Sequence, residues 1–338
     1  MSKRLFVAVG LAAIALACWA QGPNGSGTYY QAADGKKGAE LKTALCAVIY
    51  NRDEGGDLNT AYRALWTHFR TTDAKPNGKV WDMYSNKVEF EFGTNQDSGS
   101  GSQEGQYYNR EHSWPNSWFG GKVMPMYTDL HHMYPTDKIV NNKRGNNPFG
   151  ETANPSWTSA GGFSKLGPCT YEGYSGTVFE PNDQYKGDFA RTYFYMVTCY
   201  EEKLSDWYNA NSEVRPTIDG STYPGLKEWQ LKLLMEWAKI DPVSEKETTR
   251  NNAVFGIQAN RNPFIDYPGL EEYIWGDKQE EAFSYDHYGT TAVQTISANR
   301  LDAPSAIFSP DGRRLPRLQR GLNIVQQPNG RKTKVIQH

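Results

Sequence analysis

The sequence predicts a helix-rich α+β fold with a small β appendage at its C-terminus. Three observations predict it. Several segments carry apolar residues at helical spacing. A central stretch dense in Gly, Asn, His and Pro holds short alternating runs, and a tail sets turn dipeptides around short apolar runs.

Taken in order, Leu41, Ala44, Leu45, Val48 and Ile49 mark an amphipathic helix over 38–51, and Tyr62, Leu65, Trp66 and Phe69 a second over 60–70. Residues 88–92 alternate like a strand, and 129–134 read as another. A short helix follows over 136–146, with Thr136 as N-cap and Asp137 in its first turn, where a carboxylate meets the positive end of the helix dipole. Phe189, Tyr193, Phe194 and Val197 mark a further helix, and Leu226, Trp229, Leu233, Leu234 and Trp237 one over 226–240. Ser244, three residues before Glu247, forms a capping box that opens the next. Apolar periodicity fades after Gly276. The expected organisation is a leader over 1–20, a main domain over 21–280, a linker over 281–305 and a β tail over 306–338, with turns at Asp311-Gly312 and Asn329-Gly330.

At 338 residues and 38% hydrophobic the chain can bury a large core, which excludes a disordered or collagen-like protein. Its net charge of −2 hides an uneven distribution. Seven basic residues against two acidic give the segment from Leu301 onward a net +5, while residues 21–300 hold 27 basic against 36 acidic, a net −9. A general positive field for holding polyanions is therefore excluded, and any such site must be local.

Lys3-Arg4, the apolar run over 5–17 and Cys18-Trp19-Ala20 read as a secretory signal peptide, too short to span a membrane. Ala15 stands where a lipobox has Leu, which argues against a lipidated Cys18. Export leaves Cys46, Cys169 and Cys199, from which we expect a Cys169–Cys199 disulfide and a buried Cys46 thiol.

Three of the six histidines, His112, His131 and His132, fall within 21 residues. A zinc centre is one reading, but there is no HExxH and adjacent His131 and His132 would face opposite sides of a strand. The other reading is a hard-cation site with a separate base. Glu111 offers a carboxylate, Asn141 an amide oxygen, and His112 an imidazole suited to taking a proton from water. Few protein ligands and a watery shell suit one divalent cation, magnesium first, with calcium or manganese as alternatives. Hydrolysis of a phosphodiester is the chemistry such a site supports.

Residues 109–114, 129–135, Val140-Asn141 with Arg144 and Asn146, and 258–266 together resemble the endonuclease I family of non-specific nucleases, members of the His-Me finger (ββα-metal) group. The resemblance runs over about residues 29–275. It implies a ββα finger over about 110–146 packed among helices, with His112 as general base and Glu111 and Asn141 as metal ligands. Cleavage of DNA, and often RNA, without sequence preference and with 5′-phosphate ends is what the resemblance implies. His132 stands where many members have Asn, and with His131 it would support the site from behind. The disulfide-rich insert of some members is missing together with its arginine. Arg144 is the candidate to steady the phosphate, with Lys143 and Asn146 beside it. Neighbours on a strand face opposite ways, so Glu111 and His112 require a strand end or bulge.

Block 258–266 reads as a structural turn. The C-terminal tail resembles the sorting tails of the type IX secretion pathway, which would bring secretion machinery as a partner; its other reading is a basic tail that attracts nucleic acid. The expected address is periplasmic, extracellular or at the cell surface of a Gram-negative bacterium. The alternatives to a nuclease are an exported carbohydrate-binding or adhesive surface protein, suggested by 10 Trp and 21 Tyr, and a zinc peptidase.

Overall fold

The computed structural model describes residues 21–51, 57–96, 101–288, 306–309, 313–315, 319, 321–326 and 332–337. The leader and both turn dipeptides of the tail lie outside these residues. The chain divides into two compact units, Met1–Tyr288 and Gly289–His338.

In the first unit α1 (Gly38–Ile49) buries Leu41, Leu45 and Ile49, as its spacing predicts. The second helix, α2 (Leu58–Thr72), starts earlier than expected because the Asp57 carboxylate accepts the N–H groups of Asn59 and Thr60. Two antiparallel strands follow, β1 (Tyr108–His112) and β2 (Met133–Asp137), with Glu111 opposite Tyr134 and His112 opposite Met133. Short α3 (Lys138–Arg144) leaves directly from β2 and completes a ββα unit.

Four expectations need correction here. Residues 88–92 form no ladder: Glu89 turns out to Lys75 at 3.0 Å and Glu91 to Lys79, while only the Phe90 carbonyl joins Val80. The strand expected over 129–134 begins at Met133, because the Asp129 side chain accepts the His131 N–H at 3.0 Å and holds a turn. Asp137, not Thr136, caps α3: its Oδ1 accepts the N–H groups of Ile139 at 2.8 Å and Val140 at 3.1 Å. The expected Cys169–Cys199 disulfide is absent, and Cys46, Cys169 and Cys199 are all free thiols. Cys199 is buried on α4 (Lys186–Cys199) with its Sγ toward the Ile49 carbonyl, while Cys169 directly follows the short strand Lys165–Pro168. Cys46 is buried as expected.

A small sheet, β3 (Trp157–Thr158), β4 (Lys165–Pro168) and β5 (Thr177–Glu180), leads into α4. Every residue of α4 is buried, polar ones included. The apolar spacing is that of a one-faced helix, but Lys186, Asp188 and Arg191 go inside with carboxylate or ammonium partners Glu180, Lys246 and Glu247. After α5 (Leu204–Ala210), α6 (Glu228–Ile240) lays Trp229, Leu233, Leu234 and Trp237 against this core, each side chain contributing about 1.5–3 kcal/mol of apolar burial. Ser244 and Glu247 form the predicted capping box of α7 (Glu245–Gln258), and α8 (Pro263–Asp266) and α9 (Leu270–Ile274) follow. Residues 281–288, expected to open the linker, belong to the first unit, and residues 289–305 of that expectation lie outside the described residues. Phe283 and Tyr285 are buried, and backbone hydrogen bonds from Gly35 to Phe283 and from Phe283 to Lys36 tie this stretch to the first unit.

Block 258–266 is structural. Gln258 Nε2 donates to Asp129 at 2.7 Å, Asn260 Nδ2 to the Ile49 carbonyl at 2.8 Å, and Asn262 caps α8. The second unit is a four-stranded antiparallel sheet in the order β7-β6-β8-β9, from β6 (Ala306–Phe308), β7 (Arg314–Leu315), β8 (Gly321–Gln326) and β9 (Lys332–Gln337).

One contact in the core is sensitive to pH. A Cβ at Gly187 would lie 1.9 Å from the Asp241 carbonyl oxygen, so α4 approaches the end of α6 this closely only through glycine. Asp241 Oδ2 accepts the Gly187 N–H at 2.8 Å. Burial, and then nearby Asp188, push the Asp241 carboxyl up to about 6. A raised carboxyl favours the fold below its unfolded value near ~4, and that contribution is lost as pH rises through about 6. Asp241→Asn is therefore expected to melt like wild type at acid pH and about 2 °C higher at alkaline pH, after halving the linkage for partial solvent screening. Equal melting temperatures of the two proteins at alkaline pH would contradict it.

Candidate active site

The ββα unit places the predicted residues on two sides of β1. On one side lie Asn109 and Glu111, two residues apart and hence on the same strand face. Asn141, on α3, donates Nδ2 to Asn109 Oδ1 at 2.9 Å, which leaves Asn141 Oδ1 without a hydrogen bond among the described residues. Glu111 is buried. Its Oε1 accepts the Tyr84 hydroxyl at 2.8 Å and an N–H of Arg144, leaving Oε2 without a protein partner among the described residues. Burial pushes the Glu111 carboxyl up, and the Arg144 guanidinium and Tyr84 hydroxyl oppose that rise. Two hard oxygens, one carboxylate and one amide, are therefore left without hydrogen-bond partners among the described residues, a donor set whose chemistry fits a divalent cation otherwise bound by water. No three of His, Cys, Asp and Glu gather as a metal centre among the described residues, so the amide matters.

On the other face lies His112, the last residue of β1. His112 ends the strand, but the pairing register through it is regular, without a bulge, so Glu111 and His112 project from opposite faces. The imidazole is 9% exposed and stacks on Tyr127, ring centres 4.9 Å apart, which in turn stacks on Tyr62 at 4.5 Å. Its Nε2 lies 3.0 Å from the Tyr127 carbonyl oxygen. A carbonyl only accepts, so Nε2 carries the proton and Nδ1 is left as the lone-pair nitrogen. Nδ1 makes no hydrogen bond among the described residues. Burial, with His132 beside it, pushes the imidazole down to about 3, so it is neutral at neutral pH.

His132 and His131 stand behind this arrangement. His132 Nε2 lies 2.7 Å from the Met126 carbonyl oxygen and His131 Nε2 3.3 Å from that of Asn260, and the His132 ring centre is 5.6 Å from that of His112. Arg144, expected to steady a phosphate, requires correction: its side chain is turned inward. It is fully buried, and besides Glu111 it donates to the carbonyl oxygens of His112 at 3.1 Å and Ser113 at 2.6 Å. Lys143 is exposed with its Nζ 6.0 Å above the Trp157 ring, and Asn146 donates to Glu213 at 3.0 Å. Among the described residues, neither side chain makes a hydrogen bond or ion pair with Glu111, His112 or Asn141.

Sequence reasoning missed Asn109, Tyr84, Tyr62 and Tyr127. Strand alternation alone could have found Asn109, two residues before Glu111. The others come from distant loops and helices and leave no signal in spacing. Asp82 explains how Tyr84 arrives: its Oδ1 accepts the Tyr84 N–H at 2.8 Å while its Oδ2 accepts the Asp137 N–H at 3.0 Å, locking the loop to the end of β2.

One hairpin-plus-helix unit thus carries a carboxylate, an amide oxygen and a singly protonated imidazole. Residues 37–269 match the family model for Endonuclease I. The chain is 36% identical over 255 residues to an extracellular ribonuclease of Bacillus amyloliquefaciens, covering 73% of this chain and 78% of the relative. It is 35% identical over 254 residues to an extracellular ribonuclease of Bacillus subtilis (strain 168), with coverage of 73% and 78%. An Endonuclease-1 of Buchnera aphidicola subsp. Baizongia pistaciae (strain Bp) is 30% identical over 139 residues, 41% of this chain and 46% of the relative. The chain belongs to the endonuclease I family, and it is a nuclease.

Proposed function

We propose that this nuclease is an exported, metal-dependent endonuclease that hydrolyses DNA and RNA without sequence preference. The observation that carries the reading is that Glu111 Oε2 and Asn141 Oδ1 have no hydrogen-bond partner among the described residues, while the proton of the His112 imidazole sits on Nε2. Beyond the single bridge from Tyr108 to Gln96, the outer edge of β1 carries no ladder among the described residues. A phosphate lying along that edge meets side chains from both faces, which is how adjacent Glu111 and His112 serve one phosphorus atom.

Glu111 and Asn141 hold one divalent cation, magnesium in the first instance. When bound, it supplies positive charge against the phosphate oxygens and the departing 3′ oxygen. His112 Nδ1 takes a proton from the attacking water, and the Tyr127 carbonyl, accepting from Nε2, steadies the resulting imidazolium. Water oxygen bonds to phosphorus, the bond from phosphorus to the 3′ oxygen breaks, and a solvent proton completes the 3′ hydroxyl, leaving a 5′-phosphate. His112 lies on the face away from the cation's ligands, so the base is not captured as a ligand.

RNA is included because two relatives are named extracellular ribonucleases, and their names also support export. The leader carries the export reading in this chain, and no helix among the described residues is long and apolar enough to cross a membrane. The C-terminal unit is the sorting signal for the secretion machinery in this reading.

Purified mature protein incubated with plasmid DNA or total RNA and magnesium is expected to degrade both, and EDTA to stop it until excess magnesium is restored. Calcium and manganese in place of magnesium define the metal preference. Undiminished cleavage in EDTA would remove the metal from the reading.

A further inference from the structure

With Arg144 locked inside, the site described above lacks the cation that a phosphate needs, and one candidate stands beside His112. Arg110 lies two residues before His112 on β1, hence on the same strand face. Its guanidinium carbon sits 3.7 Å from the ring centre of Tyr62 and 4.5 Å from that of Trp66, one helical turn apart on α2. Tyr62 also stacks parallel to the His112 imidazole, ring centres 6.3 Å apart, so one tyrosine ring lies against both groups.

The hydrogen bonding of Arg110 is incomplete. Nη1 donates to the Tyr62 carbonyl at 2.9 Å, Nε is buried without a partner, and Nη2 has none among the described residues. Arg144, Arg191, Arg250 and Arg261 each meet a carboxylate, at Glu111, Glu247, Asp73 and Asp266. Arg110 meets none among the described residues, in a body whose net charge is −9. A guanidinium held flat by two rings, anchored at one end and half-buried, is oriented for a ligand it does not yet have. The N–H groups of Nη2, on a guanidinium whose plane is fixed, match the oxygens of a phosphate.

We infer that Arg110 binds a non-bridging oxygen of the phosphate on which His112 acts, taking the place first given to Arg144. This rests on the phosphodiesterase reading above. The α2 rings fix the guanidinium before substrate arrives, so little conformational entropy is lost on binding. No sequence information is read by such a contact, in keeping with a non-specific nuclease.

The test compares wild type, Arg110→Met and Arg110→Lys. Binding of a short fluorescein-labelled single-stranded oligonucleotide is followed by anisotropy in EDTA over a sodium chloride series, and kcat/KM is measured with magnesium; melting temperatures check the fold. Arg110→Met keeps the apolar stack and is expected to flatten the logarithmic salt slope by about 0.7, one phosphate contact on a single strand, and to lower kcat/KM about 100-fold. Arg110→Lys is expected to keep the slope yet lower kcat/KM about 10-fold, because a point charge replaces the fork. A folded Arg110→Met with wild-type slope and kcat/KM overturns the inference. If Arg110→Met does not fold, a wild-type kcat/KM in Arg110→Lys overturns it. Wild type that binds but cuts nothing defeats the nuclease mechanism while the slope still decides Arg110, and wild type that neither binds nor cuts defeats both.

Discussion

His112→Ala is expected to lower the single-turnover rate on DNA with magnesium by about 10²–10⁴-fold, the usual contribution of a positioned general base. The loss is that large because no neighbour can replace it. His131 and His132 are almost fully buried, and each has Nε2 against a backbone carbonyl, of Asn260 and Met126. Oligonucleotide affinity in EDTA is expected to stay within about twofold, since an uncharged ring makes no phosphate ion pair. The imidazole also packs against Tyr127 and Phe119, so the variant's melting temperature must be read alongside the rate. A His112→Ala protein that retains a tenth of the wild-type rate would show that the proton leaves by another route.

The second large effect is on stability. Arg144→Met is expected to destabilise the first unit by about 3–5 kcal/mol in urea denaturation, because it strands the buried Glu111 carboxylate. The carbonyls of His112 and Ser113 lose donors at the same time. Glu111→Gln in the same chain removes the stranded charge, so the double variant is expected to recover a substantial part of the loss, and the pair to be non-additive. Activity does not recover, since the glutamine amide introduced in the double variant offers no carboxylate to a cation. A phosphate-binding arginine behaves in the opposite way: its loss changes the salt dependence of binding and spares the fold. Wild-type urea midpoints for Arg144→Met would return Arg144 to the substrate side.

The candidate site residues were legible because they sit in local patterns. The order of Glu111, His112 and Asn141, with Asn141 on a short helix after a strand, is visible in 33 consecutive positions counting from Arg110 to Asn142. The capping box at Ser244 and Glu247 was legible for the same reason, both partners lying within one helical turn. Arg144 was misread because nothing in its neighbourhood distinguishes a solvated arginine from one whose partners are Glu111 and two carbonyls more than thirty positions back. Tyr84, reaching Glu111 across 27 positions, escaped notice likewise. The Cys169–Cys199 pairing failed because cysteine count sets no distance.

The amino-acid order by itself determined α1 to α4, α6 and α7, the acid-imidazole dipeptide and the amide that follows it, since these depend on periodicity, caps and residue type over a few turns. Folding in three dimensions decided which nitrogen of His112 is left with a lone pair, which arginine is locked inside and which is left open, and where β1 ends. Those outcomes depend on burial and on hydrogen bonds between residues far apart in the chain, where the cost of an unpartnered polar group selects one arrangement among several that local pattern allows equally.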